Sequence, residues 1–398
     1  MSIPINPPAA KRIKAALLIN MIAPARLPLF SALADHFDLL ILHGGREANR
    51  SGWQGVEGKL PNARVRKAWG WQIPVWRTSG GFRDRRYVHI TPGFLWQLFR
   101  FRPDVVIANE MGFRALAALL YGTLMRKPVW IWWGGTLHTE RATGSLRRFL
   151  RAVIARWARH WISYGHTSTE YLESIGIPRT SIVEIQNSVD ERRFQKPAPP
   201  AFAIRPWPVL LCVGSLIARK GLEALLRSAA ILQREGLVFS LLFVGSGPDR
   251  QVLERHAAEL GLQSVHFQRE CRSDDMPSVY RSGNVLICPT LEDVWGMVAN
   301  EAVLSGIPVL CSKYAGCAPE LFPPENIFDP LDAQDFTRKL RAAVAGELAG
   351  PDPSRLKSTP TLARELIQAL ESSLPAAHAL RARHNEDQPA RVAGEISP

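Results

Sequence analysis

Residues 209–245 read VLLCVGSLIARKGLEALLRSAAILQREGLVFSLLFVG. An apolar run of strand length, Val209–Gly214, ends on a glycine; a helical pattern follows from Lys220 to Gly236; a second apolar run, Phe239–Gly245, again closes on glycine. Two short buried-type runs joined by a helix form a strand-helix-strand unit, and such units build a parallel sheet covered on both faces. The unit repeats. Downstream come a helical pattern in DRQVLERHAAELG and the runs VHF, VLICPT, PVLCSK and NIFD; upstream, strand-type runs fall at Ile13–Ile19, Phe37–His43, Asp104–Asn109, Pro128–Trp133, His160–Gly165 and Ser181–Asn187. Segments such as RLPLFSALADH and RALAALLYGTLMR read as the intervening helices.

One stretch breaks the alternation. Gln195–Pro208 holds five prolines in fourteen residues, and proline lacks an amide donor and fixes φ, so neither a helix nor a central strand runs through it. The expected organisation is therefore an α/β chain of two doubly wound domains, 1–195 and 209–350, joined by a proline-rich linker, 196–208. Residues 351–398 are left as one terminal helix, LARELIQALESSL, and a mobile tail. Ligands of open α/β sheets bind beyond the carboxyl ends of the strands, which here means the cleft between the domains.

Composition excludes several classes. The 398 residues are 46% hydrophobic and 21% charged, ordinary for a soluble globular chain. Apolar runs fall short of the 18 or so residues that span a bilayer, and the opening MSIPINPPAAKRIK lacks the apolar helix of a signal peptide. A cytoplasmic location is expected, peripheral at most to the membrane. Cys212, Cys271, Cys288, Cys311 and Cys317 form no C-x-x-C pair and read as small core residues. Residues 1–200 carry 29 Lys and Arg against 13 Asp and Glu, and ten of the twelve tryptophans. A basic, tryptophan-rich half suits an anionic, partly apolar partner; it carries no nucleic-acid-binding signature, so a membrane surface fits better.

The chemistry concentrates after Gly214. Arg219, Lys220 and Gly221 open a helix behind Gly214 and Ser215, where cations and exposed amides together suit a phosphate. Gly245 and Gly247 begin a dinucleotide fingerprint that fails at Pro248, which argues against nicotinamide binding. In LEDVWGMVANEAVLSG, residues 291–306, Glu292 and Asp293 lie in the loop after a strand, while Glu301 lies in the helix that follows. A carboxylate accepts two hydrogen bonds at once and so suits the adjacent hydroxyls of a ribose or a sugar. Backbone amides from Trp295 and Gly296 through Met297 and Val298 suit a phosphate. No paired-aspartate metal motif is visible, and a glycoside hydrolase using Asp293 and Glu301 would leave the Lys-Gly segment without a purpose.

With its two acids eight positions apart, followed by an alanine and a G-x-P-V strand, DVWGMVANEAVLSGIPVL resembles the family 4 retaining glycosyltransferases. VGSLIARKG, VGSGPDRQVLERHAAELGL, NSVDERRF and MPSVYRSGNVLICPT add to the likeness, which covers roughly residues 13–345. Asp293 stands where the family has glutamate, with Glu292 beside it; Ser215 stands where arginine is common, with Arg219 nearby. The resemblance implies the GT-B fold, two Rossmann-like domains around a cleft, and a nucleotide diphosphate-sugar donor used without metal. It implies that Glu301 holds the donor ribose, that Asp293 contacts the transferred sugar, and that Lys220 with Arg219 neutralises the diphosphate. GGTLHTE is similar to the family's histidine loop, placing His138 near the donor sugar; His166 ranks lower. A GT-B sugar-nucleotide epimerase and a catalytically silent nucleotide-sugar-binding protein remain as alternatives.

The acceptor, expected to be a glycan or a lipid-linked molecule of cell-surface polysaccharide or glycolipid synthesis, then falls to the first domain. Arg26, in MIAPARLP, is its candidate contact, and WGWQIPVWRTSGGFRDRR, residues 69–86, reads either as a mobile acceptor loop or as a structural loop. GSLRRFLRAVIARWARHW, residues 144–161, spaces Phe149, Val153, Trp157 and Trp161 about four apart among arginines. This basic amphipathic helix either meets an anionic membrane surface or packs on its own sheet with a solvated arginine face.

Overall fold

The computed structural model describes residues 12–44, 56–79 and 82–375. The first strands and helices are β1 (Lys14–Ile19), α1 (Leu27–His36), β2 (Asp38–His43), β3 (Arg64–Lys67), β4 (Trp71–Ser79), β5 (Phe82–Ile90), α2 (Gly93–Phe101), β6 (Val105–Asn109), α3 (Phe113–Met125) and β7 (Val129–Trp133). They continue with α4 (Leu137–Glu140), α5 (Ser145–Trp157), β8 (His160–Ser163), α6 (His166–Ser174), β9 (Ile182–Glu184) and α7 (Glu191–Phe194). All but the β4–β5 hairpin form one parallel sheet with its helices, in the strand order β3-β2-β1-β6-β7-β8-β9.

The second unit runs β10 (Val209–Val213), α8 (Leu222–Arg234), β11 (Ser240–Val244), α9 (Arg250–Glu259), β12 (Val265–Gln268), α10 (Met276–Tyr280) and β13 (Val285–Cys288). It ends with α11 (Met297–Leu304), β14 (Val309–Ser312), α12 (Ala318–Leu321), β15 (Ile327–Phe328) and α13 (Ala333–Ala345), before α14 (Thr359–Ser372). Its sheet has the order β12-β11-β10-β13-β14-β15, parallel throughout. In both sheets the strand order reverses beside the first strand, so a crevice opens past β1 and β6 and another past β10 and β13. Those crevices face each other across the interdomain cleft.

The strands are near-continuous apolar runs because helices cover both faces: β1 from Ala15 onward, and β7 and β11 throughout, are buried. Three features depart from the sequence reading. Residues 71–90 pair as an antiparallel hairpin, Trp71 opposite Ile90, which lies beside the turn Ala218–Lys220 of the second domain. The glycine pair at 80–81 lies outside the described residues, as do 1–11 and 376–398. The linker is not free, since Phe202 and Ile204 pack on the second core and the Ala201 amide donates to the Ser278 carbonyl at 2.9 Å. Finally, α14 crosses back to the first domain, where Leu362, Leu366 and Leu370 join α1 residues Leu29, Phe30 and Leu33 in one core.

Candidate active site

The loops after β10 and β13 are built to touch. Behind β10, Gly214 and the exposed Ser215 lead to a tight turn at Ala218–Lys220, and Gly245, at the end of β11, lies against the Gly214 carbonyl. Gly221 follows at φ +67°, where a Cβ would sit 2.0 Å from the Pro289 carbonyl oxygen, so only glycine lets the turn press onto the end of β13. The contact is held by the Leu291 amide donating to the Arg219 carbonyl, 2.9 Å, and by Arg219 Nη1 donating to the Glu292 carbonyl, 2.7 Å. Lys220 Nζ then reaches Asp293 Oδ2 at 2.6 Å.

Burial alone would raise the Asp293 carboxyl, but Lys220 and Arg219 outweigh it, and the Trp295 amide also donates to it; its pKa is held down at about 2. Asp293 is therefore ionised at neutral pH. Gly296, at φ +103°, turns the chain into α11, whose first amides, at Met297 and Val298, precede the first amide bonded back to the turn, Ala299 to the Gly296 carbonyl. The Trp295 side chain itself is buried, donating Nε1–H to Asn300 Oδ1 at 2.9 Å. Glu301 accepts from the Tyr280 hydroxyl at 2.6 Å, and burial pushes its pKa up to about 7 despite that hydrogen bond.

The first domain closes on this loop from the end of β7. Thr136 and Thr139 cap α4 reciprocally and fix His138, whose Nε2 donates to the Leu291 carbonyl at 2.9 Å. A carbonyl only accepts, so Nε2 carries the proton and Nδ1 is the lone-pair nitrogen of the neutral ring. Burial lowers the His138 pKa, which keeps the ring neutral at pH 7. The imidazole also stacks on Tyr314 of the second domain, centroids 3.8 Å apart. Beside it, Arg141 Nη1 lies 3.5 Å from Glu292 Oε2, so the Glu292 carboxylate faces across the cleft. His166 contributes its amide, donating to Glu320 at 2.7 Å.

Residues 202–359 match the family model described as glycosyl transferases group 1. The second domain is thus similar to that family. A sulfoquinovosyl transferase of Arabidopsis thaliana is 25% identical over 285 residues, 64% of this chain and 52% of that protein. A GDP-mannose-dependent alpha-(1-6)-phosphatidylinositol monomannoside mannosyltransferase of Mycolicibacterium smegmatis is 28% identical over 201 residues, 47% of this chain and 52% of that one. The chain thus spans about half the length of these relatives. Among solved structures, HepE of Anabaena in complex with UDP and glucose aligns with a TM-score of 0.63 at 15% identity, over 94% of this chain and 98% of that one, which shows the GT-B fold.

Lys220, Arg219, Asp293, Glu292 and His138 meet at one point of the cleft, with the start of α11 adjoining them. Arg26 is engaged elsewhere: its guanidinium lies 4.6 Å from the Trp132 ring centroid and 4.7 Å from that of Tyr164, and donates to Asn187 Oδ1. The Asn187 carbonyl in turn accepts from Asn300 Nδ2 at 2.8 Å, so Arg26 connects through Asn187 and Asn300 to the Trp295 loop. Sequence reasoning missed Tyr280, Arg141 and Tyr314, each distant in the chain from the acid it serves or the ring it covers. An arginine three residues after His138 was the one local signal available.

Proposed function

We propose that the chain is a retaining glycosyltransferase that moves a sugar from a nucleotide diphosphate-sugar to a glycan or lipid-linked acceptor. It would work without a metal ion, on the cytoplasmic side, in cell-surface polysaccharide or glycolipid synthesis. The observation that carries the reading is the pairing of ionised Asp293 with Lys220 beside the free amides of α11, opposite His138. The names of the relatives, one acting on a phosphatidylinositol mannoside, support the lipid-linked acceptor.

Cleaving the bond between the anomeric carbon and the phosphate oxygen leaves negative charge on the diphosphate and positive charge on the sugar. Lys220, Arg219 and the Met297 and Val298 amides are preorganised donors for the first. Asp293 accepts from the sugar hydroxyls, and Glu301, once ionised, from the ribose pair. His138, neutral, contributes Nδ1 as an acceptor toward the donor sugar. Retention follows when the acceptor hydroxyl attacks the face that the diphosphate leaves, a phosphate oxygen taking its proton.

The test is the melting temperature of the purified chain with UDP, GDP and ADP in turn, repeated for the best one with Glu301→Ala. Ligand at a hundred times its Kd adds about 2.7 kcal/mol of stability. One diphosphate should raise the temperature, and Glu301→Ala should abolish the rise; no shift with any of them overturns the reading. Binding without release of diphosphate from any donor sugar would leave a silent binding protein.

A further inference from the structure

The sheet of the first domain carries α2, α3 and α5 on one face, where Phe94, Leu98, Ala118 and Ile154 share one core. Not one of the three helices contains an aspartate or glutamate. Their outward sides are apolar and contiguous. On α5, Leu146, Phe149, Val153 and Trp157 recur at spacings of three and four, a single stripe, while Ile154 and Arg151 turn inward. Leu146 is 80% exposed and Phe149 68%. On α3, Leu124 is 61% exposed, and Thr123 accepts from Trp157 Nε1 at 3.0 Å, joining the two helices. On α2, Trp96 is 53% exposed under the Arg100 guanidinium, and Phe99 meets Tyr121 of α3 edge-on at 5.4 Å. Arg148 and Arg156 of α5 are exposed on the flank of the stripe.

The sequence reading of 144–161 needs one correction here. The helix stops at Trp157, and Trp161 is buried in β8, so it takes no part in the surface. The inward side of α5 is instead held by Arg151, which bonds Glu140 of α4 and lies 4.8 Å from the Trp133 ring centroid. The exposed stripe is thereby fixed to the short helix that carries His138.

We propose that the α2–α3–α5 face docks on an anionic lipid bilayer. Aromatic and leucine side chains entering the headgroup boundary, on helices that carry arginines and no carboxylate, suit a surface that is apolar below and negatively charged above. A second copy of the chain fits poorly, because two such faces would bring the helices' arginines together with no acid from the helices to pair them. The surface stands independently of the transferase reading.

The experiment is co-sedimentation of the full chain with vesicles of phosphatidylglycerol and phosphatidylcholine in equal amounts, against phosphatidylcholine alone. The chain should bind the anionic vesicles, roughly tenfold more weakly when salt shortens the screening length to a few ångströms. Leu146→Asp with Phe149→Asp should abolish binding without changing the melting temperature. Val238→Asp, an exposed apolar position of the second domain, should leave binding intact. Failure to bind either vesicle, binding indifferent to the two aspartates, or a chain dimer that they dissolve would each overturn the proposal.

Discussion

The two crevices where strand order reverses are equivalent in topology and opposite in chemistry. Past β10 and β13 the chain offers Lys220, Arg219, ionised Asp293 and the open start of α11. Past β1 and β6 it offers Arg26, held against Trp132 and Tyr164, and Asn109, which donates to the Tyr164 hydroxyl at 2.9 Å. One crevice is a cluster of charged side chains on tight turns; the other is an aromatic cradle in which Arg26 and Arg114 are already bonded. Topology fixes where a ligand sits, and the residues at the loop ends decide which ligand it is.

The sharpest way to break this contrast is Lys220→Ala. On the proposed function it removes the cation set for the diphosphate, and it leaves Asp293 buried without its partner, so turnover should fall by on the order of a thousandfold and stability by about 3 kcal/mol. Donor kinetics and urea unfolding read the two effects separately. Asp293→Asn keeps the shape and removes the charge; turnover should fall by about a hundredfold, with stability less affected than in Lys220→Ala. If both variants were equally unstable yet active, the pair would be structural only.

Glu301 gives a pH signature. Its folded pKa, about 7, lies above the unfolded value, so the folded state binds the extra proton. Its contribution to stability is fully present below about pH 4.3 and is lost as pH rises through about 7. Glu301→Gln should therefore flatten the decline in stability between those values, measured by urea midpoint against pH. It should also weaken nucleoside diphosphate binding by about tenfold at pH 8, the cost of hydrogen bonds to a charged group. The smallest effect belongs to the other crevice. Arg26→Lys keeps the charge but loses the planar guanidinium's contacts with the two rings, and should change the acceptor KM by about threefold or less while leaving donor affinity alone; a donor effect of equal size would mean that the link through Asn187 and Asn300 carries it.

Legibility in the sequence followed the range of the interaction. Strands such as 129–133 were readable because burial on both faces makes them continuous apolar runs, and the Lys220 and Asp293 loops because strand, glycine and charge lie together in the chain. The partners were not readable. Tyr280 to Glu301, Arg141 to Glu292 and Tyr314 to His138 join segments that only the fold brings together. Trp161 was misassigned for a related reason: a tryptophan four residues after Trp157 continues the helical spacing, but Ala158, in extended backbone, has already ended the helix. The hairpin 71–90 hid behind Pro74 and its glycine pair, and α14 gave its helix but not its destination.

That destination has a mechanical meaning. Because the chain passes from the first domain to the second near Gln195 and returns before α14 packs on α1, the halves are tied by two covalent strands. A body tethered at one point swivels freely, but one tethered at two turns about the line through them. Any opening of the cleft would thereby follow a single hinged swing, in which His138 leaves Leu291, Arg141 leaves Glu292 and His166 leaves Glu320 together, like the teeth of one zip.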